Sequence, residues 1–109
     1  MELRTYRDAS GRSRFEDWFA RLDPIAQGRV SVALTCLEQG NLSNAKAVGG
    51  GVLEYRIDFG PGYRLYFGRD GQVLIIMLAG GQKRRQQRDI DAAIAFWEDY
   101  WRRKRRPGP

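Results

Sequence analysis

The sequence predicts a small α+β domain, built from an N-terminal strand, a helical hairpin, a small antiparallel sheet and a C-terminal helix. Three observations carry that reading: an alternating stretch cut by two glycine turns, two amphipathic stretches before it, and a third after it. In the alternating stretch, Leu53, Tyr55, Ile57 and Phe59 interleave with Glu54, Arg56 and Asp58, the period of a half-buried strand. Gly60-Pro61-Gly62 reverses the chain, because Pro fixes φ and Gly takes backbone angles closed to other residues. Tyr63, Leu65 and Phe67 continue the alternation against Arg64 and Tyr66. Asp70-Gly71 is a strong hairpin signal, and Val73 to Leu78 is continuously apolar, as in a strand covered on both faces.

The hydrophobic pattern also sets an expected register, with Phe59 opposite Tyr63, Asp58 opposite Arg64 and Arg56 opposite Tyr66. One face then carries the apolar set and the other carries Glu54, Arg56, Asp58, Arg64 and Tyr66. A polar outer face is ordinary for an antiparallel sheet, where opposite charges pair across strands, so this face alone does not mark a site.

The remaining elements follow in order. Leu3 to Tyr6 is a short candidate strand at a sheet edge, and Asp8 to Arg12 is loop-like. Ser13 and Glu16 have capping-box spacing, and Phe15, Trp18, Phe19 and Leu22 form a helical apolar stripe. Asp23-Pro24 starts a second helix as N-cap and first residue, with Val30, Ala33, Leu34 and Leu37 as its stripe and Gly40-Asn41 as its stop. These two helices are expected to cover one sheet face and leave the polar face partly open. Residues 41 to 51 read as a flexible connection containing Lys46, and Ala79 to Arg88 as a bend. Ile90, Ala93, Ile94, Trp97 and Trp101 stripe the last helix, with Asp89 and Asp91 at its start. Residues 1–101 therefore form one domain and 102–109 a basic tail. That tail reads equally as a solvated helix end or as a phosphate-contacting arm.

Composition narrows the function. Nineteen Lys and Arg against thirteen Asp and Glu give a net charge of +6, a field that favours nucleic acid or an acidic protein partner. Histidine is absent and Cys36 is the single cysteine, which removes Ser-His-Asp and Cys-His constellations, ordinary zinc sites and internal disulfides. No phosphate-loop or dinucleotide glycine fingerprint occurs; Gly49-Gly50-Gly51 leads into a strand. No apolar run approaches a membrane span and no secretory leader pattern opens the chain, so a cytoplasmic protein without membrane contact is expected.

The segments Gly51 to Ile57, Gly60-Pro61-Gly62-Tyr63-Arg64, Tyr66-Phe67, Gly80-Gly81, Lys83, Gln86 and Asp89-Ile90 resemble the RelE/ParE toxin superfamily. The closest likeness is to its addiction-module killer branch, HigB-like or phage Gp49-like. The resemblance runs from about Thr5 to Tyr100, and Phe15, Trp18, Arg29, Lys46 and Trp97 also fit it. It implies a RelE-like fold and a toxin of a type II toxin–antitoxin system, neutralised by a cognate antitoxin. RelE-like members cleave mRNA on the ribosome without metal or cofactor; ParE-like members share the fold and inhibit DNA gyrase. A non-catalytic nucleic-acid-binding module is the further alternative. Carried over by position, the strand arginine falls on Arg64 and the basic residue after the last strand on Lys83, with Arg56 and Glu54 beside them. Lys46, Arg84, Arg85 and Tyr66 are the candidate RNA contacts. The chain departs from the pattern in three places: no C-terminal histidine or tyrosine has an evident counterpart, Arg84-Arg85 replaces small polar residues, and the basic end is longer.

Metal-free RNA cleavage needs a base for the 2′-hydroxyl, an acid for the 5′-oxygen and cations for the phosphorane. Arg56 and Arg64 offer planar donors suited to phosphate oxygens. Lys83 is a phosphate clamp or the general acid, Glu54 the carboxylate base, and Tyr66 a weaker base candidate. General acid–base help is worth about 10² to 10⁴ in rate, and the ribosome can supply positioning besides.

Overall fold

The computed structural model describes residues 1–105, as a five-stranded sheet with helices on both faces. In chain order the elements are β1 (Glu2–Thr5), α1 (Arg14–Ala20), α2 (Pro24–Glu38), β2 (Ala45–Gly49), β3 (Val52–Ile57), β4 (Tyr63–Asp70), β5 (Leu74–Gln82) and α3 (Gln86–Arg105). A 3₁₀ turn, Lys83–Arg85, joins β5 to α3. The strand order is β1-β5-β4-β3-β2; β1 lies parallel to β5 at one edge and every other pairing is antiparallel. Among the described residues, no helix is long and apolar enough to cross a membrane.

The caps expected for the first two helices form. Ser13 Oγ accepts the Glu16 N–H at 3.0 Å and Asp23 Oδ1 accepts the Ala26 N–H at 2.9 Å, interactions worth about 1 kcal/mol each. Gly40, at φ 78°, closes α2 by donating to the Leu37 carbonyl while Asn41 donates to Cys36. The hairpin packs Phe15, Val30, Ala33 and Leu37 onto Tyr55, Leu65, Phe67, Ile75 and Met77.

Five expectations about the fold are corrected by the structure. The connection at 41–51 contains an edge strand, β2: its glycines are not slack but turn the chain, with φ of 115°, 60° and 84° at Gly49, Gly50 and Gly51. The β3–β4 register is offset by two residues from the expected one, so Ile57 faces Tyr63, Arg56 faces Arg64 and Glu54 faces Tyr66. A five-residue loop, 58–62, takes the place of the tighter turn, and because the offset is even each side chain keeps its face. The apolar strand begins at Leu74, leaving Val73 exposed in the turn, and it runs through Gly80-Gly81 to Gln82 without bending away. Those glycines stay in the strand because Trp18 lies against Gly80 from one side and Asp89 against Gly81 from the other, where a side chain has no room.

The fourth correction matters most for function. The polar face of the sheet is not left open, because α3 lies across it. Ile90, Ala93 and Trp97 pack on Val52, Tyr66, Ile76 and Leu78, and an irregularity in the β4–β5 ladder turns both Leu78 and Ala79 toward α3. Gly68 receives the Trp97 ring, and Gly50 and Gly51 receive Ile94 and Trp97. The boundary expected between 101 and 102 is not an element end: α3 continues unbroken to Arg105. Its last turns are fastened to the rest of the chain. Tyr6 donates to Asp99 at 2.6 Å, Arg103 bonds Asp99 and the Arg7 carbonyl, and Tyr100 and Lys104 both reach Asp70. Arg106 and the remaining tail residues lie outside the described residues.

Candidate functional site

Near the start of α3 its cover over the sheet stops, and a cleft of ≈ 690 Å³ opens beside the 58–62 loop. Its walls are the beginning of β2 with the two residues before it, Arg56, the loop, Arg64 and Lys83. The loop is fixed by its own backbone. Gly62, at φ 80°, presents a carbonyl that accepts the Lys83 N–H at 3.0 Å and an Arg64 guanidinium N–H at 3.2 Å. Arg64 and Lys83, nineteen positions apart in sequence, are thus tied to one carbonyl.

Four cations line the cleft: Lys46, Arg56, Arg64 and Lys83. Lys46, Arg56 and Lys83 are exposed, whereas the Arg64 side chain is 5% exposed. Asp58 is the carboxylate on the cleft wall. Beneath Arg64 lies Glu54, completely buried. One of its oxygens, Oε2, accepts the Tyr66 hydroxyl at 3.0 Å and the Gln86 amide at 2.8 Å, and stands 3.5 Å from Arg64 Nε. The other, Oε1, lies 3.9 Å from Lys46 Nζ, directly across the β2–β3 ladder. Among the described residues neither Oε1 nor Arg64 Nε has a hydrogen-bond partner, so Glu54 holds Arg64 by charge through a short gap. Burial, then the Glu54 charge beside it, push the Tyr66 phenol above its ordinary value, which keeps it a proton donor to that carboxylate.

This geometry sorts the expected site residues. Lys46, Arg56, Arg64 and Lys83 come together around one cleft. Glu54 adjoins it from below, but a buried carboxylate already accepting two hydrogen bonds is badly placed to take a proton from a substrate. Tyr66 is completely buried under α3 and has no surface for an RNA base. Sequence alone leaves both open because alternation shows which side chains share a face and not what covers it. Arg84 and Arg85 line a different cleft, with Arg14, Trp18, Arg21 and Asp89. Sequence reasoning missed Gln86 as a partner of Glu54 and Asp58 as the accessible carboxylate; the first had no local signal, whereas the second stood in the polar set of the alternating stretch.

A family model matches residues 17–95, described as phage-derived protein Gp49-like (DUF891). The chain belongs to the Gp49-like family. That family lies in the RelE-like toxin superfamily, which the loop and strand residues resemble. An uncharacterized protein of Haemophilus influenzae is 38% identical over 80 residues, covering 72% of this chain and 81% of the relative. The region matched by the Gp49-like model takes in all four cleft cations together with Glu54, Tyr66 and Gln86, and it ends before the fastened last turns of α3.

Proposed function

We propose that this Gp49-like chain is the toxin of a type II toxin–antitoxin system, of the HigB-like kind, and that it cleaves mRNA on the ribosome. The observation that supports this most directly is the cleft itself. Four cations converge there, and the innermost is held from below by a carboxylate and from the side by a loop carbonyl. A guanidinium restrained at two points stabilises charge developing on a phosphate without first having to reorganise. Arg64 and Arg56, directly opposite each other on β4 and β3, take the non-bridging oxygens of the scissile phosphate. Lys83 clamps the phosphate or protonates the departing 5′-oxygen, and Lys46 extends the positive wall. Glu54 is a positioning residue for Arg64 in place of the base first expected, and Asp58 is the carboxylate free to approach a 2′-hydroxyl. In a chain without histidine these groups, with substrate orientation by the ribosome, carry the reaction without a metal. The partner is an antitoxin that covers or displaces this basic face, encoded as a small helix-turn-helix protein in an adjacent gene. Purified chain incubated with translating ribosomes tests the proposal: new mRNA 5′ ends inside coding sequence, dependent on ribosomes, support it. Intact mRNA together with gyrase trapped on DNA overturns it.

A further inference from the structure

The second cleft, of ≈ 210 Å³, lies on the other side of Lys83 from the first. Arg14, Arg21, Arg84 and Arg85 surround it, Trp18 forms a wall, and Asp89 closes its base with Gly80 and Gly81. Asp89 is the unusual member. Its side chain is 8% exposed, yet among the described residues no hydrogen-bond donor reaches the carboxylate; Arg14 Nη2 stands 3.8 Å from Oδ1, too far for a hydrogen bond. The carboxylate lies over Gly81, where any side chain would collide with it, so the strand makes room for this acid, whose charge Arg14 answers from 3.8 Å. Burial raises the Asp89 carboxyl above its ordinary value of 3.8, against the opposing pull of Arg14, Arg85 and Arg88. A carboxylate at the edge of a cleft, reached by no donor within the described residues, can accept an incoming pair of donors.

The two clefts share a partition. Tyr63 lines the first and Trp18 the second, their rings edge-to-face with centroids 6.1 Å apart. Lys83 lines the first, and Arg84 and Arg85 line the second. A strand whose phosphate sits in the first cleft can therefore lay an adjoining nucleotide in the second. We infer that the second cleft is a nucleobase subsite for guanine in single-stranded RNA, adjoining the phosphate held by Arg56, Arg64 and Lys83. Two neighbouring carboxylate oxygens match two neighbouring donors, and among the four RNA bases only guanine presents such a pair, N1–H beside N2–H, on its pairing edge. Adenine and cytosine place an acceptor next to their amino group, and uracil flanks its imino group with acceptors. Trp18 supplies an aromatic wall and the arginines take the adjoining phosphates, the mixture by which unpaired bases are read.

This inference rests on the proposed function for the phosphate in the first cleft, but its test needs neither ribosomes nor cleavage. Binding of the full chain to short pyrimidine-rich single-stranded RNAs, each with one central purine, is measured by fluorescence anisotropy. The expected result is about tenfold tighter binding with guanosine than with inosine or adenosine, within the discrimination of a bidentate base contact. Asp89→Asn abolishes that preference while retaining binding. Arg84→Gln with Arg85→Gln weakens binding to all the RNAs and reduces the salt slope by about 1.4, for two phosphates lost from a single strand. Equal affinity for guanosine and inosine, an unchanged preference in Asp89→Asn, or matched duplex DNA binding as tightly as the RNA overturns the subsite. A chain that fails to cleave mRNA but keeps an Asp89-dependent guanosine preference defeats the nuclease reading and leaves the subsite standing. A chain that cleaves without that preference does the reverse.

Discussion

Glu54→Gln separates a carboxylate that positions from one that takes a proton. The amide oxygen still accepts from Tyr66 and Gln86, at 3.0 and 2.8 Å in the native chain, so those two hydrogen bonds survive. What disappears is the counter-charge 3.5 Å from Arg64 Nε, leaving a guanidinium on a 5% exposed side chain without a buried partner. Breaking a buried ion pair from one side costs about 3 to 5 kcal/mol. Lys46, 3.9 Å away with a 56% exposed side chain, stays hydrated when its partner is neutralised, and Arg64 retains the Gly62 carbonyl, so the lower end applies. About 3 kcal/mol leaves a typical domain folded, with Tm lowered by roughly 12 to 20 °C. Urea and thermal unfolding of the wild type, Glu54→Gln, Arg64→Met and the double variant measure it. The double variant is expected to be more stable than Glu54→Gln, because removing both charges leaves neither one orphaned. Cleavage by Glu54→Gln should fall by a similar factor at every pH, as expected when Arg64 is displaced. A variant as stable as the wild type, whose rate loses the acid limb of its pH profile, would restore Glu54 as the base.

Two further predictions address the fold around the clefts. Gly68→Ala places a Cβ 2.5 Å from the Trp97 ring, so α3 must lift from the sheet, at about 1 to 3 kcal/mol; denaturant melts check this, and an unchanged midpoint denies the close approach of α3. Asp89, raised above 3.8 by burial, binds its proton more tightly in the native state than when unfolded. Its contribution to stability is therefore greatest below the unfolded value and declines as pH rises through the raised one. Asp89→Asn should gain stability relative to the wild type as pH rises over that window, and a difference independent of pH overturns the burial of this carboxylate.

Much of this arrangement is legible in the sequence itself. Alternation in β3 and β4 placed Arg56 and Arg64 on one face, and that survived an offset of two residues because the offset is even. Ser13 and Asp23 announced two helix starts through side-chain chemistry that acts locally. The failures are long-range. Nothing near Glu54 or Tyr66 in sequence reveals α3 lying above them; the clue was the apolar stripe of α3, which needed a sheet face, together with Val52, Tyr66 and Leu78 on the face read as polar. In sequence the glycines at 49–51 and 80–81 suggest slack and a bend, whereas they mark places where Ile94, Trp97, Trp18 and Asp89 press against backbone. A glycine run in sequence does not distinguish freedom from crowding. Likewise Arg84 and Arg85, adjacent to Lys83, face a separate cleft, since the 3₁₀ turn there carries consecutive side chains in different directions.

The most direct test of the account is mapping of mRNA 5′ ends after incubation of translating ribosomes with the wild type or Arg64→Ala. Arg64 is tied to the Gly62 carbonyl at 3.2 Å and held over Glu54, so its loss removes a preorganised charge-stabilising donor and not merely one of many surface cations. The wild type is predicted to generate ribosome-dependent ends within coding sequence. Arg64→Ala is predicted to generate them more slowly by a factor of about 10² or more, with its ribosome affinity nearly unchanged. Cleavage by Arg64→Ala at the wild-type rate would contradict the assignment of this cleft as the site of chemistry.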